Sequence, residues 1–266
     1  MIQTGVKKIV PDHRDRSYPR TFGSVRSFPD SFNTDAGLTM PDQNADGLPM
    51  GCTGYTQSEL CGDEDKTVYD PKYTYDKSLF MEGQKEGAGI ADMRDSLKST
   101  IIYGVMPKGC TDVNEPYKHR RGAYYNVFDE TGMDWFDDIR SALMLNDYAR
   151  SVSTATPWYL EWDAQANGTG IVSMGTQIVS WHNWKISGWK TINGVPYLVG
   201  KTWQGKNVGD NGWMYFPREV INAVMNIKGT GAYTLAPADA ANVQNIKMTI
   251  LDYIISWLRN VAKLPI

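Results

Sequence analysis

The chain has 266 residues, 41% of them apolar and 12% aromatic, with nine Trp and fifteen Tyr. That is ample material for one large domain or two closely packed lobes, and it excludes a disordered polymer. A formal charge of −3 offers no electrostatic footprint for nucleic acid or an anionic membrane, and no run of about eighteen apolar residues is present to span a bilayer.

In chain order, residues 1–42 are rich in Pro, Asp, Ser and Arg, and Pro-Asp-His-Arg-Asp at 11–15 reads as an extended loop. The opening residues lack the apolar run of a signal peptide, so export by that route is not expected. Asp42-Gln-Asn-Ala-Asp-Gly47 matches the first half of a calcium loop, but Thr53 stands where the closing Glu belongs, and turn-forming Asx residues explain the same letters. Residues 53–60 contain no Pro and one Gly, so a helix is expected to start near Cys52, placing its thiol at the positive end of a helix dipole. A short helix is expected at 78–83. Another is expected at 92–103, with Met93, Leu97 and Ile101 on one face and a stop at Gly104 and Pro107.

Beyond residue 123 strands are expected to dominate, after one helix over 134–148 that packs Ile139, Leu143 and Leu145 on the sheet. Segments 157–162, 177–189, 195–203 and 212–216 are rich in Trp, Tyr, Val and Ile and are divided by Gly or Asn turns. The two-residue period puts His182, Trp184 and Ile186 on one face of their strand and Asn183, Lys185 and Ser187 on the other. Residues 229–243, small, polar and Pro-containing, read as a linker. A helix over 246–262 follows, with Ile250, Leu251, Ile254, Leu258 and Val261 at helical spacing; it either folds back or docks on a protein partner.

Three cysteines leave at least one thiol free, and Cys61 and Cys110 either pair or stay reduced. His13, His119 and His182 are scattered and no Cys pair has zinc-ribbon spacing, so no metal or cofactor is expected. Asn167-Gly-Thr169 has the letters of a glycosylation sequon and, without an export signal, reads as a loop.

The order Gln43, Cys52, His182, then Gly-Lys-Thr-Trp ending at Trp203 and Gly-Asp-Asn-Gly-Trp ending at Trp213, resembles the papain-like cysteine peptidases. The resemblance covers most of residues 5–228 and is similar in style to bacterial and viral members without a prodomain, which open on a like Pro-Asp-x-Arg-Asp element. It implies an α+β fold of two lobes around a cleft. The helical lobe would span about 44–120, and the β lobe about 121–228 with the N-terminal segment. It further implies cleavage of peptide or protein substrates through an acyl-enzyme. Cys52 would be the nucleophile and His182 the base; Gln43 with the Cys52 N–H would hold the oxyanion, Trp203 would shield the pair, and Gly87 and Gly89 would form the edge that pairs with substrate backbone.

Two departures stand out. The Gln43 to Cys52 interval is longer than the family's, and Lys201 occupies the position of the Asn that orients the imidazole. An ammonium at about 4 Å from an imidazolium is repelled by roughly 4 kcal/mol at an effective dielectric of about 20, unless it points away. The alternative is therefore a catalytically weakened papain-like domain serving a larger assembly such as a phage virion or tail. The expected location is accordingly cytoplasmic or virion-associated.

Overall fold

The computed structural model describes residues 5–237 other than 11–14, 16, 18–22, 24, 26, 88, 129–133, 146–150 and 166–167. The terminal helix expected over 246–262, the sequon Asn167 and residues 11–14 of the Pro-Asp-x-Arg-Asp element lie outside the described residues.

Three helices make one wall. α1 (Cys52–Asp65) is buried on nearly every side and carries no apolar stripe, so packing rather than propensity holds it. Its Gly54 is the contact point with α2 (Pro71–Met81): a Cβ there would stand 2.3 Å from the Pro71 carbonyl oxygen and 2.9 Å from the Tyr75 nitrogen. Asp70 caps α2 ahead of a Pro in its first turn, and Asp92 caps α3 (Met93–Ile102) by accepting from Arg94 and Asp95 N–H. α2 begins seven residues before the helix expected at 78–83, because Asp70-Pro71 is a stronger start signal than the apolar spacing further on.

The other wall is a seven-stranded sheet, its strand pairs antiparallel. Its strands are β1 (Ser31–Asn33), β2 (Arg121–Asn126), β3 (Val152–Tyr159), β4 (Ile178–Ile192), β5 (Val195–Lys201), β6 (Trp213–Pro217) and β7 (Gly231–Pro237). They are ordered β2-β7-β3-β4-β5-β6, with β1 paired onto β4. The expected strand at 157–162 is the end of β3 followed by a short helix, α5 (Leu160–Gln165). α4 (Trp135–Leu145) and α6 (Arg218–Met225) cover one face, where Phe136, Ile139, Trp158, Trp162, Trp184, Phe216 and Val220 form the larger core. The opposite face meets the helical wall through Tyr55, Leu60, Met93, Leu97, Trp203, Tyr233 and Leu235.

The linker expected over 229–243 is corrected by β7. Residues 231–237 pair with both β2 and β3, sending Tyr233 and Leu235 to one core and Ala232 and Ala236 to the other. A strand buried on two crowded faces uses small residues, and small residues imitate a linker. β4 is buried on both faces in the same way: Asn183, Lys185 and Ser187 are as buried as Trp184 and Ile186.

Candidate active site

Cys52 is the first residue of α1 and is fully buried. Its sulfur lies among the backbone N–H groups of Cys52, Thr53 and Asn183, and its thiol donates to the Gly5 carbonyl at 3.1 Å. Contact with Asn183 joins the start of α1 to β4 beside His182. Burial nevertheless outweighs these donors and pushes the Cys52 thiol up to about 11.

His182 is also fully buried, its ring edge-on to Trp158 with centroids 4.8 Å apart. Its Nε2 lies 2.8 Å from the Thr202 carbonyl oxygen. A carbonyl only accepts, so Nε2 carries the proton and Nδ1 carries the lone pair. That Nδ1 is buried with no hydrogen-bond partner, so the thiol and the imidazole are not hydrogen-bonded to each other. Burial pulls the imidazole down to about 4 against the opposing effect of the Thr202 bond. Both groups are thus neutral near pH 7.

Lys201 points away from this pair. Its Nζ reaches Glu59 at 2.7 Å and Asp35 at 3.4 Å, while Lys185, its register partner across the β4–β5 hairpin, contacts Asp35 at 2.5 Å, Asp63 at 2.8 Å and Glu59 at 3.3 Å. Both ammonium groups are fully buried. Burial alone would lower Lys185, but Asp63, Glu59 and Asp35 hold it above its ordinary value. Burial would raise Asp35 and Glu59, but the two lysines hold both below the usual carboxylate range. Asp63 goes the other way, raised by burial despite Lys185. Glu59 and Asp63 lie on α1, two and three turns beyond Cys52, so the cluster ties the cysteine-bearing helix to the strands flanking His182. The three carboxylates stand close enough together to resemble a metal site, but two ammonium groups already occupy their centre.

Gln43 is buried, donates from Nε2 to the Pro49 carbonyl at 2.7 Å and binds the Trp203 carbonyl through its backbone N–H at 2.9 Å. Asp42 accepts from the N–H groups of Asn44 and Ala45, an Asx turn that uses the calcium-like letters for local structure. Trp203 is fully buried at a φ of 63°, donates to Thr56 Oγ1 and the Asn183 carbonyl, each at 2.9 Å, and stacks on Tyr55. Cys61 and Cys110 are unpaired thiols, and Cys61 accepts from Arg121 at 3.2 Å. Gly87 and Gly89 serve a turn: Gly87 N–H binds Asp76, and the Gly89 carbonyl takes the Tyr75 hydroxyl. The edge that pairs with an extended strand lies two residues further, at Ala91.

The segment paired there is the chain's own residues 5–9, which run in extended form between the two walls, with Val6 bridged in parallel to Ala91. Val6 donates to the carbonyl of Trp181, the residue before His182, at 3.2 Å; Lys7 donates to Ala91 at 3.2 Å and Ile9 to Gly229 at 2.8 Å. Val6 and Ile9 are buried. Asp15 then anchors the segment to both walls, contacting Arg94 of α3 and the hydroxyls of Tyr124 and Tyr233. The cleft occupant, the Thr202 carbonyl and the ion cluster were not anticipated from sequence. A lysine in each of two facing apolar strands was the available signal for the cluster.

No family model matches the sequence, and no curated protein is similar to it in sequence. The fold, however, is shared with solved structures. Xylellain, a cysteine protease from Xylella fastidiosa, superposes with a TM-score of 0.69 at 16% identity over 88% of this chain and 96% of that one. Procathepsin B S9 from Trypanosoma congolense gives 0.64 at 16% identity over 89% and 87%. Bromelain from Ananas comosus, bound to the inhibitor E64, gives 0.59 at 16% identity over 79% and 100%. The chain therefore has the α+β papain-like fold, helical wall facing antiparallel sheet across a cleft.

Proposed function

We propose that the chain is a papain-like thiol hydrolase of peptide bonds, held closed by its own residues 5–9. The observation that carries this reading is the set of His182: Nε2–H fixed on the Thr202 carbonyl, Nδ1 buried and without a partner. A buried acceptor left unpaired costs about 1–3 kcal/mol, and a proton donor arriving at Nδ1 recovers it. Cys52, released from the Gly5 carbonyl, is that donor.

In the open state Nδ1 takes the thiol proton and the sulfur attacks the substrate carbonyl carbon, with the Cys52 N–H and the Gln43 amide receiving the oxyanion. Collapse expels the amine, which leaves with the proton from Nδ1, and water then hydrolyses the thioester. The Thr202 carbonyl does the orienting that the family assigns to Asn, so Lys201 is free to serve the ion cluster. Peptide or protein substrates follow from the cleft's pairing edge at Ala91.

A second reading is favoured by the same cleft. With the thiol and imidazole neutral and unbonded and the groove filled, the domain serves as a binding or structural module of a larger assembly. Mass-spectrometric mapping of iodoacetamide uptake separates the two. In a chain whose N-terminal segment has been loosened, fast labelling of Cys52 near pH 6 that disappears with His182→Ala supports the hydrolase; labelling at an ordinary thiol's rate supports the module.

A further inference from the structure

The cleft holds two consecutive lysines by two unrelated devices, one on each wall. Lys7 Nζ is ion-paired with Glu82, the residue that ends α2. Glu82 is only 6% exposed, accepts the Asp92 N–H and the Gln84 amide, and lies beside the Ala91 edge to which Lys7 is itself paired. Lys8 turns the other way and sets its Nζ 5.2 Å from the centre of the Trp181 ring on the sheet wall. On either side of the pair Val6 and Ile9 are buried, Ile9 against Gly231. Val10, one residue on, is 69% exposed, so the gripped stretch ends there.

A carboxylate this deep needs a cation. Burial raises the Glu82 carboxyl and Asp95 raises it further, while Lys7 and the Asp92 N–H oppose them, Lys7 as the cation. When residues 5–9 leave, the Glu82 carboxyl loses the cation that favours its charged form and the Trp181 face that Lys8 covers is bared, the first beside the Ala91 edge and the second next to His182 in β4. Each selects positive charge, the first by ion pairing and the second by the ring quadrupole.

We infer that the cleft recognises an extended peptide carrying two adjacent basic residues between apolar ones, with Glu82 and Trp181 as the specificity-determining residues. Residues 5–9, Gly-Val-Lys-Lys-Ile, are the resident copy of that ligand. The inference rests on the cleft being the peptide site of the proposed hydrolase and not on turnover.

The test uses the full-length chain with Lys7→Ala and Lys8→Ala combined. Both side chains end at the surface of the cleft, so the fold is retained, and circular dichroism checks it. The rate of Cys52 alkylation, mapped by mass spectrometry, is expected to rise about tenfold as the segment loosens. Added synthetic Gly-Val-Lys-Lys-Ile is expected to restore protection, whereas the same peptide with norleucine at both lysine positions is not. Adding Glu82→Gln, which keeps an acceptor for Asp92 N–H, is expected to weaken protection by the lysine peptide about tenfold. An unchanged alkylation rate in the double variant, equal protection by both peptides, or full protection in the Glu82→Gln background would each overturn the inference. Protection without cleavage of the peptide would sink the hydrolase reading alone.

Discussion

The Thr202 carbonyl oxygen sits 2.8 Å from Nε2 of His182, so the imidazole is oriented by main chain rather than by a side chain. A backbone acceptor survives side-chain substitution. Thr202→Val is therefore expected to leave the Nε2–H tautomer of His182 unchanged, as read by nitrogen-15 NMR of the imidazole, with stability altered by about 1 kcal/mol.

Placing at position 201 the Asn that papain-like peptidases carry is expected to do harm. Lys201→Asn leaves Glu59 and Asp35 to share Lys185 alone, and removing one partner of a buried ionic cluster costs about 3–5 kcal/mol. Urea unfolding is expected to show that loss, and the Cys52 alkylation rate is not expected to rise. A Lys201→Asn chain that is as stable as wild type and labels faster would mean that the lysine merely displaced a lost Asn.

Stability should fall in acid through His182. Its folded value is about 4, below the ordinary value near 6.5, so the unfolded state binds the extra proton between those limits. The contribution is complete above pH 6.5 and is lost as pH falls towards 4, amounting to about 3 kcal/mol. Carboxylates titrate in the same window, so the comparison is with His182→Gln. The wild type is expected to lose about 3 kcal/mol more than the variant between pH 7 and pH 4.

In the wild-type chain the Cys52 thiol titrates at about 11. Alkylation at pH 8 is therefore expected to be slow, to rise steeply above pH 10, and to be indifferent to His182→Ala while residues 5–9 are seated. A rate that already plateaus below pH 8 would show that the segment leaves readily.

Gly54→Ala tests the contact that seats α1. The added carbon meets backbone atoms of α2 at 2.3 and 2.9 Å, which a rotamer change cannot relieve. A loss of about 1–3 kcal/mol in thermal or urea unfolding is expected, although Ala ordinarily favours a helix over Gly.

The helix at Cys52 and the strands carrying His182 and leading to Trp203 were legible in the sequence because each has a local signal: a stretch without Pro, a two-residue period, and an apolar and aromatic run bounded by Gly or Asn. The ion cluster joins Asp35 to Lys201 across much of the chain and has no local signature; strand alternation put Lys185 on the face opposite His182 but named no partner for it. β7 was lost for the opposite reason, since Ala and Thr chosen to fit between two crowded layers look like the residues of a tether. Residues 5–9 drew no structural expectation because their pairing edge at Ala91 and their salt bridge to Glu82 are made by residues more than 70 positions away.

The five buried charges and the Asp15 contacts tie the two walls together at two separate places. Swinging the walls apart would strip ion pairs into water and break both anchors at once, whereas lifting residues 5–9 out breaks a few backbone bonds, the Lys7–Glu82 and Lys8–Trp181 contacts and the burial of Val6 and Ile9, and leaves the ion cluster whole. Traffic through this groove is therefore exchange of one strand for another along a channel of fixed width, and its speed is set by how fast the resident strand peels away.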